Sequence, residues 1–194
     1  MSSLSRLERL VEALKSTPRT GWMLRGVPAA IAESIAEHMN EASLIALVLG
    51  DELRKKGVNI DIYYAAAIAT AHDVSEAIIG DLVKLVTDLI GKEIKESIEL
   101  QALRSYVGDT ILANLVRDYI EQEKIEAKLA KLSEQLATLL QGLRYHRQGY
   151  DVSEIICSMN ESIEKMAQSE PFSLIREELE LIINKSREIC KKNN

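Results

Sequence analysis

The sequence of 194 residues is poor in proline and cysteine. Its prolines stand at positions 18, 28 and 171, so no proline interrupts the long stretch between Pro28 and Pro171. Only two cysteines are present, Cys157 and Cys190, and they are far apart in the sequence. Because a disulfide framework or a cysteine metal site requires more cysteines or a closer spacing, we expect two ordinary thiols.

The sequence also lacks the features that mark membrane and nucleic-acid-binding proteins. No apolar run approaches the roughly 20 residues that span a bilayer, and the first ten residues alternate charged with apolar side chains. Lys and Arg number 24 against 30 Asp and Glu, a formal net charge of -6. We therefore expect a cytoplasmic protein that binds neither membranes nor duplex nucleic acid. A small phosphate ester remains compatible with this charge, because one metal ion or arginine sets the local field.

Helix-forming patterns fill the chain, whose 46% hydrophobic and 28% charged residues are typical of an ordered globular protein. Apolar residues recur three and four positions apart in one segment after another, which predicts an all-α fold. Gly57 and the Gly80-Asp81 pair mark helix ends, and Asn59 or Asp61 is expected to cap a helix between them. Further helices are predicted over residues 92–121, 124–146, 151–168 and 172–191.

The chain has the length of one domain of ordinary size. The weakest point of the pattern is QSEP at residues 168–171, which precedes a charged amphipathic segment. We therefore predict one domain over residues 1–168 and a C-terminal helix over residues 169–194. This helix would pack on the domain or on a partner subunit.

Two of the three histidines stand where a metal site is chemically reasonable. His38 falls on the apolar face of its helix, a position where a lone histidine is more often a hydrogen-bonded core residue. His72 closes an alanine-rich helix and is followed at once by Asp73. With a further ligand from another helix, these groups would form a mixed nitrogen and oxygen site.

Two more carboxylates follow His72 closely. Glu76 lies one helical turn beyond His72, where it could orient a metal-bound water, although a solvated surface carboxylate is the alternative. Asp81 follows Gly80 and would suit the N-cap of the next helix as well as an active site.

Three blocks resemble one known family when they are read in order. They are LKSTPRTGW at residues 14–22, ESIAEHM at residues 33–39 and HDVSEAIIGD at residues 72–81. The family is the HD-domain metal-dependent phosphohydrolases, within them the branch of the 5'-deoxynucleotidases and HD-domain-containing protein 2. The resemblance implies an HD-domain helical bundle that works as a homodimer.

The resemblance also implies a set of metal ligands. His38, His72 and Asp73 match residues that hold a divalent cation in this family, and the sequence does not distinguish Mn, Co, Mg, Zn and Ni. The fourth ligand of the family is an aspartate, whereas the matching stretch EAKLAKLSEQL at residues 126–136 places Glu134 there. Glutamate is still a hard oxygen ligand. The alternative for Glu134 is an exposed partner of Lys131, three residues before it.

The remaining roles come from the same resemblance. Glu76 matches the residue that activates water, and Asp81 matches a second acidic group. On the substrate side the resemblance implies Trp22 near the sugar or base and an arginine at the phosphate. Since the family has arginine and tryptophan adjacent and this chain does not, either Arg19 or Arg25 fits the phosphate role. Trp22, the only tryptophan, would otherwise be a core residue.

The activity implied is hydrolysis of a nucleoside 5'-monophosphate, preferentially deoxy, to nucleoside and phosphate. Two alternatives stay open at this point. The ligand set would equally serve another phosphoester, such as a nucleoside triphosphate or a cyclic nucleotide. The glutamate at position 134 is also compatible with a binding or regulatory protein that has lost turnover.

Overall fold

The computed structural model describes residues 3–192, which form a bundle of α-helices and one 3-10 turn. No β-strand occurs within these residues, so the prediction of an all-α fold is confirmed. The helices are α1 Ser3–Ser16, α2 Thr20–Met23, α3 Ile35–Lys55, α4 Ile62–Ala71, α5 Glu76–Ile79, α6 Lys84–Ile90, α7 Lys92–Val107, α8 Ile111–Glu121, α9 Ile125–Arg147, α10 Ser153–Ala167 and α11 Arg176–Lys192, with the 3-10 turn at Phe172–Ile175.

Local sequence signals fix where the central helices begin. The Ser34 hydroxyl accepts from the Glu37 N–H, and the Glu37 carboxylate accepts from the Ser34 N–H, which is a capping box at the start of α3. Asp61 caps α4 by accepting from the N–H of Tyr64 at 3.0 Å, one of the two caps expected. Each cap fixes the residue at which its helix begins and satisfies an N–H group that has no partner within the helix.

Helices α3, α4 and α9 pack on one another at the centre of the molecule. Gly50 allows this packing, because a Cβ atom there would lie 2.9 Å from Cγ2 of Ile62 and 3.3 Å from Cδ2 of Leu129. Around this centre α8 packs on α4, α10 on α9, and α11 on α10. None of the helices within residues 3–192 is long and apolar enough to cross a bilayer.

Two predicted helices differ from those observed. The helix predicted over residues 92–121 is interrupted at Gly108, whose φ of 74° ends α7 before α8 begins at Ile111. Glycine adopts this left-handed conformation without steric cost, so no proline is needed for the break. The helix predicted from residue 172 begins with the 3-10 turn and becomes α-helical at Arg176.

The expectation of two free thiols is wrong, because Cys157 of α10 and Cys190 of α11 form a disulfide. The two cysteines are separated by 33 residues, but packing of α11 on α10 brings their Cα atoms to 5.6 Å. The same two helices share a buried hydrogen bond from the Ser186 hydroxyl to Asn160. The final helix therefore lies on its own chain, while the domain boundary at residue 168 stays a prediction.

The buried carboxylate of Asp118 on α8 links this helix to α4. This carboxylate accepts from the hydroxyl of Tyr64 at 2.6 Å and pairs with Lys124. Burial alone would raise the pKa of Asp118, but the bonds from Lys124 and Tyr64 outweigh it and lower that pKa. The carboxylate thus stabilises the fold at neutral pH, and this contribution disappears as the pH falls through the lowered pKa.

We therefore predict that Asp118→Asn lowers the free energy of unfolding at pH 7 by about 1–3 kcal/mol, measured by urea denaturation. The difference from wild type should begin to shrink below about pH 4, where the carboxyl of the unfolded chain takes up a proton, and should vanish once the pH lies below the lowered pKa of the folded carboxyl. Asp109→Asn is the control, since the Asp109 side chain is 90% exposed. An equal loss in both variants would contradict the interpretation.

Candidate active site

Three buried side chains from three helices converge at the centre of the bundle. His38 of α3, His72 at the end of α4 and Glu134 of α9 each offer a ligand atom, and these atoms all lie within 4.8 Å of one another. His38 is 0% exposed, His72 4% and Glu134 8%. These groups were all expected as ligands from the resemblance, and the fold brings them together although 96 residues separate the first from the last.

The helix that carries each histidine also determines how its ring is oriented. His38 lies on the face of α3 that buries Ile35 and Ala42. Nδ1 of His72 lies 2.7 Å from the carbonyl oxygen of Ala69. A carbonyl only accepts, so Nδ1 carries a proton, and Nε2 is the nitrogen that a metal ion would take. That nitrogen faces Asp73, whose Oδ2 is 3.1 Å away.

His38 provides the test of whether this cluster fits a metal ion. Neither of its ring nitrogens has a hydrogen-bond partner within residues 3–192, although both are buried. Burial, followed by the charge of Arg19, lowers its pKa well below the usual value, so the ring is neutral. A buried imidazole without partners is costly unless a further group satisfies it. Neutral imidazoles beside carboxylates form a donor set that a divalent cation satisfies.

Asp73 joins the cluster to an arginine. Its Oδ2 lies 3.9 Å from Nε2 of His38 and 3.0 Å from Nη1 of Arg19. Burial alone would raise the pKa of Asp73, but the charges of His72 and Arg19 outweigh it and hold the pKa well below its usual range. Asp73 is therefore a carboxylate at neutral pH, as a metal ligand must be.

Backbone bonds place Arg19 at the cluster. The N–H of Arg19 donates to the carbonyl of Glu33 at 2.9 Å, and the N–H of Ile35 donates to the carbonyl of Thr17 at 3.0 Å. The segment before α2 thus runs antiparallel to the residues that precede α3, with a bridge between Pro18 and Ser34. The Arg19 side chain is held on the side of the cluster where Asp73 lies.

Glu76 and Asp81 lie beside this arginine. Glu76 is 5% exposed, so the solvated surface position that was its alternative is wrong. Burial and the charges of Asp73 and Asp81 raise the pKa of Glu76 well above its usual value, the direction that a proton-transfer carboxyl needs. Asp81 accepts from the N–H of Thr20 and does not cap α6, whose N-cap is Val83.

The described contacts of the other two predicted substrate residues, Trp22 and Arg25, are to side chains outside the cluster. Trp22 is 2% exposed and packs edge-on against Tyr145 at 5.2 Å between ring centroids, so it occupies the core. Its indole N–H donates to Oε1 of Glu33 at 2.8 Å. Arg25 pairs with Glu154 of α10. Of the two arginines that the sequence left open, only Arg19 contacts a residue of the cluster within the described part of the chain.

Three neighbouring residues were not identified from the sequence as members of a site. Glu33 lies 4.0 Å from His38 and 4.0 Å from Arg19, and Tyr119 of α8 stacks on His72 with 5.1 Å between ring centroids. Lys131 was considered only as the residue with which an exposed Glu134 would pair, yet it also reaches the Tyr119 hydroxyl. The available signal for Tyr119 was its spacing of three and four residues from Val116 and Leu115, both buried.

Comparison with known proteins gives one family. A family model described as HD domain matches residues 11–174. This chain is similar to 5'-deoxynucleotidase HDDC2 of Homo sapiens, with 32% identity over 149 residues that cover 74% of this chain and 68% of the human protein. It is also similar to 5'-deoxynucleotidase hdd1 of Schizosaccharomyces pombe, with 30% identity over 69% of this chain and 68% of the other. A solved structure, a conserved hypothetical protein from Pyrococcus furiosus, has a TM-score of 0.79 at 32% identity, covering 95% of this chain and 99% of that one.

The unpaired state of His38 leads to a prediction about metal binding. In His38→Ala the affinity of metal-stripped protein for Mn²⁺ should fall by at least about 100-fold, because even neighbours of metal ligands are worth about 10–100-fold. The measurement is titration calorimetry. The matched control is His146→Ala, which removes an exposed histidine at the end of α9. Equal Mn²⁺ affinity in wild type and His38→Ala would exclude His38 as a ligand.

Proposed function

This chain belongs to the HD domain family, and we propose that within this family it hydrolyses nucleoside 5'-monophosphates, preferentially deoxy, to nucleoside and phosphate. It is a metal-dependent phosphohydrolase. The observation that carries the proposal is the convergence of His38, His72 and Glu134 within 4.8 Å, with two further acids, Glu76 and Asp81, whose charges act on the adjoining Arg19. The curated relatives described above bear the name 5'-deoxynucleotidase, which supports a nucleotide as substrate.

We assign His38, His72, Asp73 and Glu134 as the groups that would hold the divalent ion. A cation bound there would polarise the phosphoryl group and lower the pKa of a water molecule. Two imidazoles with carboxylates suit Mn, Co, Ni or Zn, whereas Mg favours sites made of oxygen ligands. Glu134 takes part although it pairs with Lys131, because its carboxylate has two oxygens and the pairing uses Oε1.

Arg19 is the arginine that we assign to the phosphate. Its planar guanidinium makes paired hydrogen bonds to phosphate oxygens, and its contact with Asp73 already holds it beside the cluster. Arg25 has Glu154 as its partner and no described contact with the cluster. The role of Trp22 at the sugar stays a prediction. In this structure the ring supports Glu33, which in turn lies beside Arg19.

Glu76 and Asp81 handle the protons in this proposal. Glu76, whose pKa is raised well above its usual value, takes a proton from the attacking water or returns one during turnover. Asp81 accepts a backbone hydrogen bond from Thr20, the residue after Arg19. This bond keeps the second acid next to the arginine, where the leaving oxygen would be protonated.

We also propose that two copies of the chain associate. Helices α1 and α6 both lie on α7, and each of the three carries exposed apolar side chains. The most exposed are Leu4, Leu85, Leu89 and Ile94. A homodimer would remove these side chains from water. The cytoplasmic location stays a prediction, and the Cys157–Cys190 disulfide is of a kind that reducing compartments seldom keep.

The activity is tested by measuring phosphate release from deoxy- and ribonucleoside 5'-monophosphates. Metal-stripped protein is supplemented separately with Mn, Co, Mg, Zn and Ni. We expect release that requires added metal and is faster with the deoxy substrates. Asp73→Asn should abolish it with helicity unchanged, whereas the control Asp88→Asn changes a surface residue with a side chain 59% exposed and should keep it. Metal binding without phosphate release from any substrate would favour the regulatory alternative.

The association is tested by light scattering coupled to size-exclusion chromatography. We expect wild type to have the mass of a dimer, twice 21.7 kDa. The double variant Leu85→Ser and Leu89→Ser should shift it towards the monomer, because both side chains are more than two thirds exposed in the single chain. Leu181→Ser, an equally exposed position on α11, is the control. A monomeric wild type would refute the association.

A further inference from the structure

Lys131 lies at the edge of the metal cluster, one helical turn before Glu134 on α9. Its Nζ is 2.6 Å from Oε1 of Glu134 and 3.2 Å from the hydroxyl oxygen of Tyr119. The side chain is 40% exposed, whereas Glu134 is 11% exposed by the same measure. Its ammonium lies over the Tyr119 ring, with Nζ 5.5 Å from the ring centroid. The Lys131 ammonium therefore lies between the buried cluster and solvent.

A continuous row of contacts links Lys131 to Arg19. Arg19 contacts Asp73 at 3.0 Å, and Asp73 lies 3.1 Å from His72. The His72 ring packs on the Tyr119 ring, whose hydroxyl contacts Lys131. The two cations stand at opposite ends of this row, with the candidate metal ligands between them.

The donors of Lys131 are only partly used. An ammonium has three N–H groups, and among the described residues Glu134 and Tyr119 take one each. A third donor on a side chain that reaches solvent is available to an incoming anion. A phosphate monoester has nearly two negative charges at pH 7 and three terminal oxygens, more than one arginine neutralises.

We propose that Lys131 is a second cationic contact for the phosphoryl group of the substrate, across the cluster from Arg19, and that Tyr119 positions it. The inference rests on the proposed function, because the phosphate to be held is that of the nucleotide. It adds a substrate-binding residue on α9 to the arginine before α2. The hydroxyl of Tyr119 and the carboxylate of Glu134 fix the ammonium in place before substrate arrives, which reduces the entropy lost on binding.

The test uses the variant Lys131→Met in the full chain loaded with Mn²⁺. Methionine keeps the length of the stem and removes the charge. We expect the affinity for inorganic phosphate, measured by calorimetry, to fall by about 10- to 100-fold, as for the loss of a charged hydrogen bond. KM for a deoxynucleoside 5'-monophosphate should rise with it. Affinity for Mn²⁺ should change by less than about 3-fold, and Lys131→Arg should restore most of the phosphate affinity.

Two further variants sharpen the comparison. Lys128→Met removes an exposed lysine one turn earlier on α9 and should leave phosphate affinity as in wild type. Tyr119→Phe removes only the hydroxyl and should weaken phosphate binding by a few fold in the same direction. Should Lys131→Met fail to fold, Lys131→Gln removes the charge with a polar chain, and the same readouts apply.

Phosphate affinity unchanged in a folded, Mn²⁺-loaded Lys131→Met would overturn the inference. A parallel loss of Mn²⁺ affinity would overturn it as well, because Lys131 would then serve only to hold Glu134. Phosphate binding does not require turnover. A wild type that binds phosphate through Lys131 but hydrolyses no nucleotide would therefore refute the proposed function and leave this inference standing.

Discussion

The close approach of α3, α4 and α9 is the constraint on which the site depends. Ligand atoms from three helices come within 4.8 Å only if the helix backbones around them are unusually near. Small residues make this possible. Gly50 of α3 has no room for a Cβ against Ile62, and the same helices bury a set of alanines with no exposed area, namely Ala42, Ala46, Ala65, Ala69, Ala127, Ala130 and Ala137. Larger side chains at these positions would separate the helices, and the cluster would open before the fold was lost.

Electrostatic balance is the second requirement that this packing creates. A site that buries Glu76 and Asp73 together would be unstable without a nearby cation. Arg19 supplies one. Burial acts to raise the pKa of both carboxyls, and the positive charge of Arg19 opposes that effect in each of them. The pKa values of the two carboxyls are shifted in opposite directions. Burial and the charge of Asp73 raise the pKa of Glu76, whereas the charge of His72, whose Nε2 is 3.1 Å from Asp73, outweighs burial and holds the pKa of Asp73 well below its usual range. This difference suits a metal ligand and a proton-transfer group three residues apart.

Much of the fold follows from periodicity and end signals. The candidate ligands follow from a resemblance in three short blocks and, for Glu134, in the stretch at residues 126–136. The parts that did not follow depend on contacts between distant segments. Glu76 lies on a four-residue helix whose burial comes from α1 and α7, so its own sequence gives no sign of being enclosed. The pairing of Cys157 with Cys190 depends on the antiparallel packing of α11 on α10. Gly108 lies inside the helix predicted over residues 92–121, and its positive φ appears only in the structure.

The substrate side of the site is held by the core. Trp22, buried against Tyr145, donates to Glu33, and the Glu33 N–H donates to the Tyr145 hydroxyl at 2.8 Å. The backbone carbonyl of Glu33 then accepts from Arg19, which fixes the base of the arginine side chain. Groups that are held before substrate binds lose little entropy and need little reorganisation when charge develops. The same residues that stabilise the core around α9 therefore also fix the arginine that we assign to the phosphate, and a substitution at Trp22 would act on the site through Glu33 even without touching a substrate.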